Sequence, residues 1–457
     1  MTKTLFITSF HPHISRNILS TVVLDQLKAQ QDLRLVVIVP DYKADYFQKR
    51  FGDSRIIIEG IIPNQSSRFK RGVVFKRIAA FLPDNATTRL RKHFTYYGDG
   101  RFFYFVASMA VGYILNPFFM RKIWRWLDYM FSPSCFFDEL FSRYKPDALF
   151  STDPQNENDV SMIYAARVRG VPVIAMVRSW DNPTMRNFRV FPDIFLAGSK
   201  AIGDEITYFH GYPKEKIIVT GQPHYDRYIG APPHSREEFC AQFGLDPKRR
   251  LIMYAPLGDL TINNHNDVDQ YVMEILGNLD AQIMVRFPPD EKVSLIDFVQ
   301  PANMIIHRPG HIFGGARFTD REIRREDDDS LIDQIFYSDL VITGPTSISL
   351  DASLRDKPVI VVDFYPTSRN FFDTAYQYNA NHIRKLLGTG GVYHATSKEG
   401  FLSAIRNYLN DSHRDAPGRA AIRSLWFSHA DGHAGERVAE EIIKFIFSPL
   451  SFPHKRE

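Results

Sequence analysis

The sequence predicts an α/β protein of two Rossmann-like domains facing a central cleft, with a helical, basic and aromatic insert in the first. Three observations lead there. Short apolar, β-branched runs alternate with amphipathic stretches along most of the 457 residues, the rhythm of β-α-β units and parallel sheets. The chain is too long for one core, and a Pro/Gly-rich segment, Ile229-Gly-Ala-Pro-Pro-His234, interrupts it near the middle. Between residues 64 and 130 the rhythm fails, and the residues become basic and aromatic.

In chain order, Thr4–Ser9 reads as a first strand, followed by the loop Phe10-His11-Pro12-His13. Ile14–Gln30, with Ile18, Val22, Leu24 and Leu27 on one face, predicts an amphipathic helix. Leu33–Val39 and Arg55–Ile62 are the next strands. After the insert come a helix at Cys135–Tyr144 and strands at Asp147–Ser151, Val171–Val177, Ile194–Ala197 and Lys216–Thr220. These make a first domain, 1–230. A second, 236–432, has strands at Arg250–Ala255, Ala281–Phe287, Met304–His307, Leu340–Thr343 and Pro358–Val362, with a helix at Ser330–Tyr337. Residues 433–457 form a last helix and tail that can return to the first domain.

The net charge of +4 hides an uneven distribution: 68–130 carries +9 and the remainder −5. Residues 102–120 hold no charge, and 121–131 place Trp124 and Trp126 beside three basic residues. A transmembrane span, a buried hairpin of core helices and an interfacial element are the readings open to this insert. No nucleic-acid module accompanies the basic run, so nucleic acid is not expected as a partner. Cys135 and Cys240 match no metal or redox spacing, and the N-terminus lacks a signal peptide's apolar region, which together predict a cytoplasmic setting.

The stretch that organises the second domain is 338–363. Its strand ends at Gly344-Pro345, and Thr346 or Ser347 then starts a helix whose N-terminus suits an anion or a plain helix cap. Phe195-Leu-Ala-Gly-Ser-Lys200 and the run Tyr212–Asp226 resemble the end of the first domain in GT-B glycosyltransferases. The CDP-glycerol glycerophosphotransferase-like and related surface-polysaccharide enzymes match best. Leu251–Pro256, Ser338–Ala352 and Gly432–Arg437 are similar to that group's donor-domain strand, donor-phosphate loop and C-terminal helix. The resemblance implies transfer from a nucleotide-activated donor, of UDP or CMP/CDP type, to an acceptor hydroxyl, with no further cofactor. It gives the Gly344 turn, Thr346 and Ser347 to the phosphates and Asp351 to the ribose or sugar. Arg286 becomes a diphosphate cation and Gly258 a point of close backbone approach.

On the acceptor side the chain departs from that group, reading Ser179-Trp180-Asp181-Asn182 where it has a His-Gly pair. Asp181 is the first candidate for general base, His11 the second and Asp153 the third. The departure favours a sugar donor. The expected activity is therefore an inverting, metal-independent glycosyltransferase of capsule, lipopolysaccharide or other surface-polysaccharide assembly. Its acceptor is a glycan or lipid-linked glycan, met at the anionic inner face of the cytoplasmic membrane through 68–130. A CDP-activated polyol-phosphate transferase is the alternative, followed by a nucleotide-sugar 2-epimerase-like enzyme or a non-catalytic scaffold. Asp327-Asp328-Asp329 reads as a solvated loop and cap rather than a metal motif.

Overall fold

The computed structural model describes residues 2–62, 70–132, 135–262, 267–289, 291–313 and 320–447. They divide into two compact units: Met1–Ala80 with Pro117–Asp226 and His433–Glu457, and Phe81–Asn116 with Arg227–Gly432. The division at Asp226 lies just before the Pro/Gly segment.

In the first unit, strands β1 (Lys3–Thr8), β2 (Leu33–Pro40), β3 (Ile56–Ile61), β4 (Ala148–Ser151), β5 (Val173–Met176), β6 (Ile194–Ala197) and β7 (Ile217–Val219) form one sheet. Its order is β3-β2-β1-β4-β5-β6-β7, and every pairing is parallel. β1, β2, β4 and β5 are almost wholly buried, which is why they read as continuous apolar runs rather than alternating ones. The strand order reverses between β1 and β4. Loops leaving neighbouring strands in opposite directions open a crevice there, at the carboxyl ends.

The helix expected over Ile14–Gln30 is broken. A turn at Pro12–Ile14 runs into a π-helical turn, Ser15–Leu19, and a fresh helix starts at Val22 under a Thr21 cap. Ser20, Thr21 and the extended backbone at Thr21 supply the break. The last helix, Ala434–Phe447, lays Val438, Ala439, Ile442, Phe445 and Ile446 into the same apolar cluster as Val23, Leu27 and Leu35. Both oxygens of Asp226 accept from its first amides, Ala434 N at 2.9 Å and Gly435 N at 2.7 Å.

The second unit contains β8 (Leu251–Tyr254), β9 (Gln282–Arg286), β10 (Met304–His307), a short hairpin of β11 (His311–Ile312) and β12 (Arg321–Glu322), then β13 (Leu340–Thr343), β14 (Val359–Val362) and β15 (Tyr393–Ala395). Its main sheet is parallel, in the order β10-β9-β8-β13-β14-β15, with the reversal between β8 and β13. β15, the hairpin and the left-handed turn at Asp356 have no clear sequence signal.

Two expectations are corrected. The insert does not belong whole to the first domain. The helices Ala86–Tyr97 and Phe102–Leu115 cluster with the second unit, where Asn381 N donates to Thr87 Oγ1 at 2.9 Å and Phe94 stacks near Tyr376 at 5.4 Å. Phe118–Phe131 stays with the first unit, anchored by Asp128 against Arg189 at 2.7 Å. Nor is the acidic triplet a solvated loop. The helix begins earlier, at Arg325, and Asp327 and Asp328 are buried on ion pairs to Arg324 and Arg227, each at 3.0 Å.

Candidate functional site

The carboxyl ends of the first sheet gather ionisable side chains. His11 follows β1, Lys43 follows β2, Asp153 follows β4, Arg178 follows β5 and His224 follows β7. Arg178 is the hub. Its guanidinium pairs with Asp153, and its carbonyl accepts from Asn17 Nδ2 at 3.1 Å and Gln222 Nε2 at 3.4 Å. His11 caps the turn after it, its Nδ1 accepting from His13 N at 3.2 Å, and the two rings meet edge to face at 4.7 Å. Burial holds His11 well below the usual imidazole range, and the charge of Arg178 pushes the same way. His224 is lowered too, first by burial and then by Arg16. Both rings are therefore neutral at pH 7.

Behind this layer lies Asp159, fully buried. Its Oδ1 accepts from Ser151 Oγ at 2.7 Å and Thr8 Oγ1 at 2.5 Å, while Oδ2 and the Oδ1 of Asp153 are buried without a partner. Burial, reinforced by the charge of Asp153, pushes the Asp159 carboxyl up to about 7.

The structure thus brings His11 and Asp153 together through Arg178. Asp181 lies three residues beyond Arg178, at the start of the short helix Asn182–Met185, and makes no capping hydrogen bond with its side chain. It is half-buried, whereas His11 is 8% exposed and Asp153 2%. Lys43, Arg178 and His224 escaped the sequence reading. Their signal was position alone, each lying in a loop directly after an apolar strand.

At the carboxyl ends of the second sheet the chemistry is different. Buried Asp269 accepts from Leu257 N at 2.8 Å, Gly258 N at 2.9 Å and Tyr254 Oη at 2.6 Å, bracing the loop after β8. Gly258 has φ +85, and a Cβ there would lie 2.3 Å from the Glu291 carboxyl carbon. Gly344 is equally constrained, because Leu257 Cγ lies 2.6 Å from where its Cβ would be. The two glycines therefore belong to one pair of interlocked loops. Thr346 is half-buried with its hydroxyl 2.9 Å from that of Thr343, and Ser347 is exposed. Ser347 occupies the cap position of Ile348–Leu354, yet its side chain makes no capping bond. Asp351 is inside, 3% exposed, and beside it Ser349 Oγ is buried with no partner.

Arg286 stands apart from this group. It is 5% exposed, and its fork is taken up by Asp327 O at 2.7 Å, Gln334 Oε1 at 3.2 Å and His307 Nδ1 at 3.1 Å. It locks β9 and β10 to the helix Arg325–Tyr337. Among the described residues no group of three or more His, Cys, Asp or Glu side chains could hold a metal ion.

With this geometry in hand, comparison with known proteins gives a coherent result. The two-sheet architecture is similar to the UDP-GlcNAc 2-epimerase of Neisseria meningitidis bound to UDP-GlcNAc, with a TM-score of 0.54 and 12% identity over 97% of this chain and 100% of that one. It is similar to CalG4, the calicheamicin glycosyltransferase, at 0.52 and 10% over 98% and 100%. It is also similar to the wall teichoic acid polymerase TagF, at 0.51 and 12% over 97% and 88%. At such identities the likeness is one of fold, the GT-B fold that glycosyltransferases and epimerases share. No curated protein matches the sequence. Residues 185–444, more than half the chain, match the model of the CDP-glycerol:poly(glycerophosphate) glycerophosphotransferase family. The chain is a GT-B transferase and belongs to that family.

Proposed function

We propose that this enzyme transfers a polyol phosphate from a CDP-activated donor to an acceptor hydroxyl during surface-polymer assembly. One observation carries the choice of donor. The family match spans 185–444 and so includes the loops of Gly258, Gly344, Thr346 and Ser347, whereas Ser179–Asn182 lies outside it. The amides and hydroxyls of those loops suit a diphosphate. In the reaction the acceptor oxygen attacks the phosphorus bearing the polyol, and the P–O–P bridge to the nucleotide breaks. The hydroxyl proton passes to a base and CMP leaves. Asp181 is the leading base, as the most exposed of the three candidates, and its carboxylate can take that proton. A nucleotide-sugar donor is the second reading, favoured by the replacement of the family's His-Gly pair. There the oxygen attacks the anomeric carbon with inversion, and a nucleoside diphosphate leaves.

The leaving group separates the two. Incubation with CDP-glycerol, CDP-ribitol and a panel of UDP-, GDP- and dTDP-sugars is expected to release CMP from a CDP-polyol. Release of a nucleoside diphosphate from a sugar donor would install the second reading. The same assay with EDTA tests metal independence, which loss of turnover would overturn.

We also propose that the acceptor is lipid-linked and met at an anionic membrane face. Among the described residues no single helix is long and apolar enough to cross a membrane, although the bent pair Phe102–Leu115 and Phe118–Phe131 passes by length and composition together. Of the uncharged helix Phe102–Leu115 only Ser108 and Gly112 are buried, while Phe102, Phe103, Val106, Met109, Tyr113 and Ile114 are exposed. That exposure disfavours a buried hairpin of core helices and suits an interfacial helix. Arg89 and Arg101 are more than 60% exposed, each beside an aspartate, Asp84 and Asp99, while Arg68 lies outside the described residues. Cosedimentation with anionic but not neutral vesicles, weakened by salt, is expected. Equal binding to both, indifferent to salt, would mean insertion.

A further inference from the structure

We infer that the second unit holds an anion site for a small phosphorylated ligand at the amino edge of its sheet, the edge opposite the Gly258 and Gly344 loops. A cavity of about 340 Å³ opens there, lined by Arg250 before β8, Asp339 before β13 and Arg355, Asp356 and Lys357 before β14. That volume is within the range of small-molecule sites.

The two carboxylates are already matched. Asp339 accepts from Arg250 Nη1 at 2.7 Å and Leu251 N at 2.9 Å. Asp356 accepts from Arg419 Nε at 2.9 Å and Arg423 Nη1 at 3.0 Å. Two cations are left over. Arg355 donates Nη1 to Gly230 O at 2.6 Å, but its Nε and Nη2 are buried without a partner. Lys357 forms no ion pair among the described residues, and its ammonium sits 5.6 Å from the Phe336 ring centre.

Both cations lie over one ring, Arg355 at 5.0 Å and Lys357 at 5.6 Å from the centre of Phe336, and they keep donors that an anion can take. A phosphoryl group, with several acceptor oxygens, matches an arginine edge and an ammonium at once. Asn410 and Ser412 complete the wall with neutral polar groups, suited to the hydroxyls of a polyol or sugar phosphate.

The test is calorimetric titration of the full-length protein with inorganic phosphate, glycerol 3-phosphate and pyrophosphate at constant ionic strength. Saturable binding is expected, weakened at least about tenfold in Lys357→Met, which keeps the packing on Phe336. In a Thr346→Ala, Ser347→Ala double variant, which removes hydroxyls proposed for the donor phosphates, the Lys357-dependent part of the binding is expected to remain. An unchanged urea midpoint for Lys357→Met shows that the fold is kept. If it shifts, Lys357→Arg, which restores the charge, must restore binding. The proposal falls if no saturable binding occurs or if chloride at equal ionic strength gives the same response. It also falls if Lys357→Met binds normally or the loop variant alone abolishes binding. Nucleotide titration of the same variants keeps this result separate from the donor assignment.

Discussion

At the carboxyl ends of the first sheet, Asp153 pairs with Arg178, Arg178 and Lys43 act on His11, and His224 lies near His13 and Arg16, with Asp159 buried behind. At the corresponding ends of the second sheet the chain offers backbone amides, two space-limited glycines and three hydroxyls, held in shape by Asp269. The first set is dominated by ionisable side chains; the second offers mainly hydrogen-bond donors, which suit a charge that arrives with a ligand. A group transfer needs both capacities, and here each is confined to one α/β unit. The same fold is thus finished in two chemistries, set by the residues in the loop after each strand.

Asp181→Asn presses hardest on this contrast. It should lower turnover by about 10²–10⁴-fold, on the order of 3–5 kcal/mol in the barrier, with donor affinity unchanged. Steady-state kinetics beside nucleotide titration would check it. An active Asp181→Asn together with an inactive His11→Ala would move the base to the first loop.

Asp269→Ala attacks the other side. It strands Tyr254 Oη and the amides of Leu257 and Gly258, and should cost roughly 3 kcal/mol in urea unfolding along with nucleotide affinity. Full stability with full binding would show that the loop holds its shape unaided.

Replacing Thr346 and Ser347 together by Ala should weaken nucleotide diphosphate binding by about 1.5–3 kcal/mol per lost bond to charge, with a loss in unfolding of no more than about 1 kcal/mol from the Thr343 hydroxyl left behind. Unchanged affinity would leave the amides as the whole cradle.

The smallest effect concerns Asp159. Its folded pKa of about 7 lies above the unfolded 3.8, so the native state prefers the protonated acid. Its contribution is fully present below the unfolded value and is lost as pH rises toward 7. Between pH 6 and 8 the loss should be about 1.4 kcal/mol, read as a falling urea midpoint that Asp159→Asn flattens. A slope that survives the substitution would assign it to another group.

The strands and the division into two sheets were legible because buried parallel strands must be apolar throughout, as in Val36–Val39 or Leu340–Ile342. The Gly344–Ser347 turn was legible through its glycine, proline and hydroxyls. What stayed hidden depends on long-range pairing. Asp327 and Asp328 look solvated until Arg324 and Arg227 are brought to them. Arg286 looks like a cation for a ligand until His307, Gln334 and Asp327 surround it. The insert reads as one segment because its composition is continuous, yet Asn381 and Tyr376, almost three hundred residues away, claim its middle. Periodicity also ran Ile14–Gln30 together, since a π-turn keeps apolar residues inward while its hydrogen bonds shift.

The last helix adds a constraint of timing. Val438, Ile442 and Phe445 complete the core around Val23 and Leu27, and Asp226 waits for the amides of Ala434 and Gly435. During synthesis the amino-terminal sheet therefore emerges early but stays open on one face until more than two hundred further residues, including most of the second unit, have been made. The interrupted unit should finish second although it begins first, and a chain truncated after Gly432 would keep the whole second unit while the first lacks the helix that closes its core.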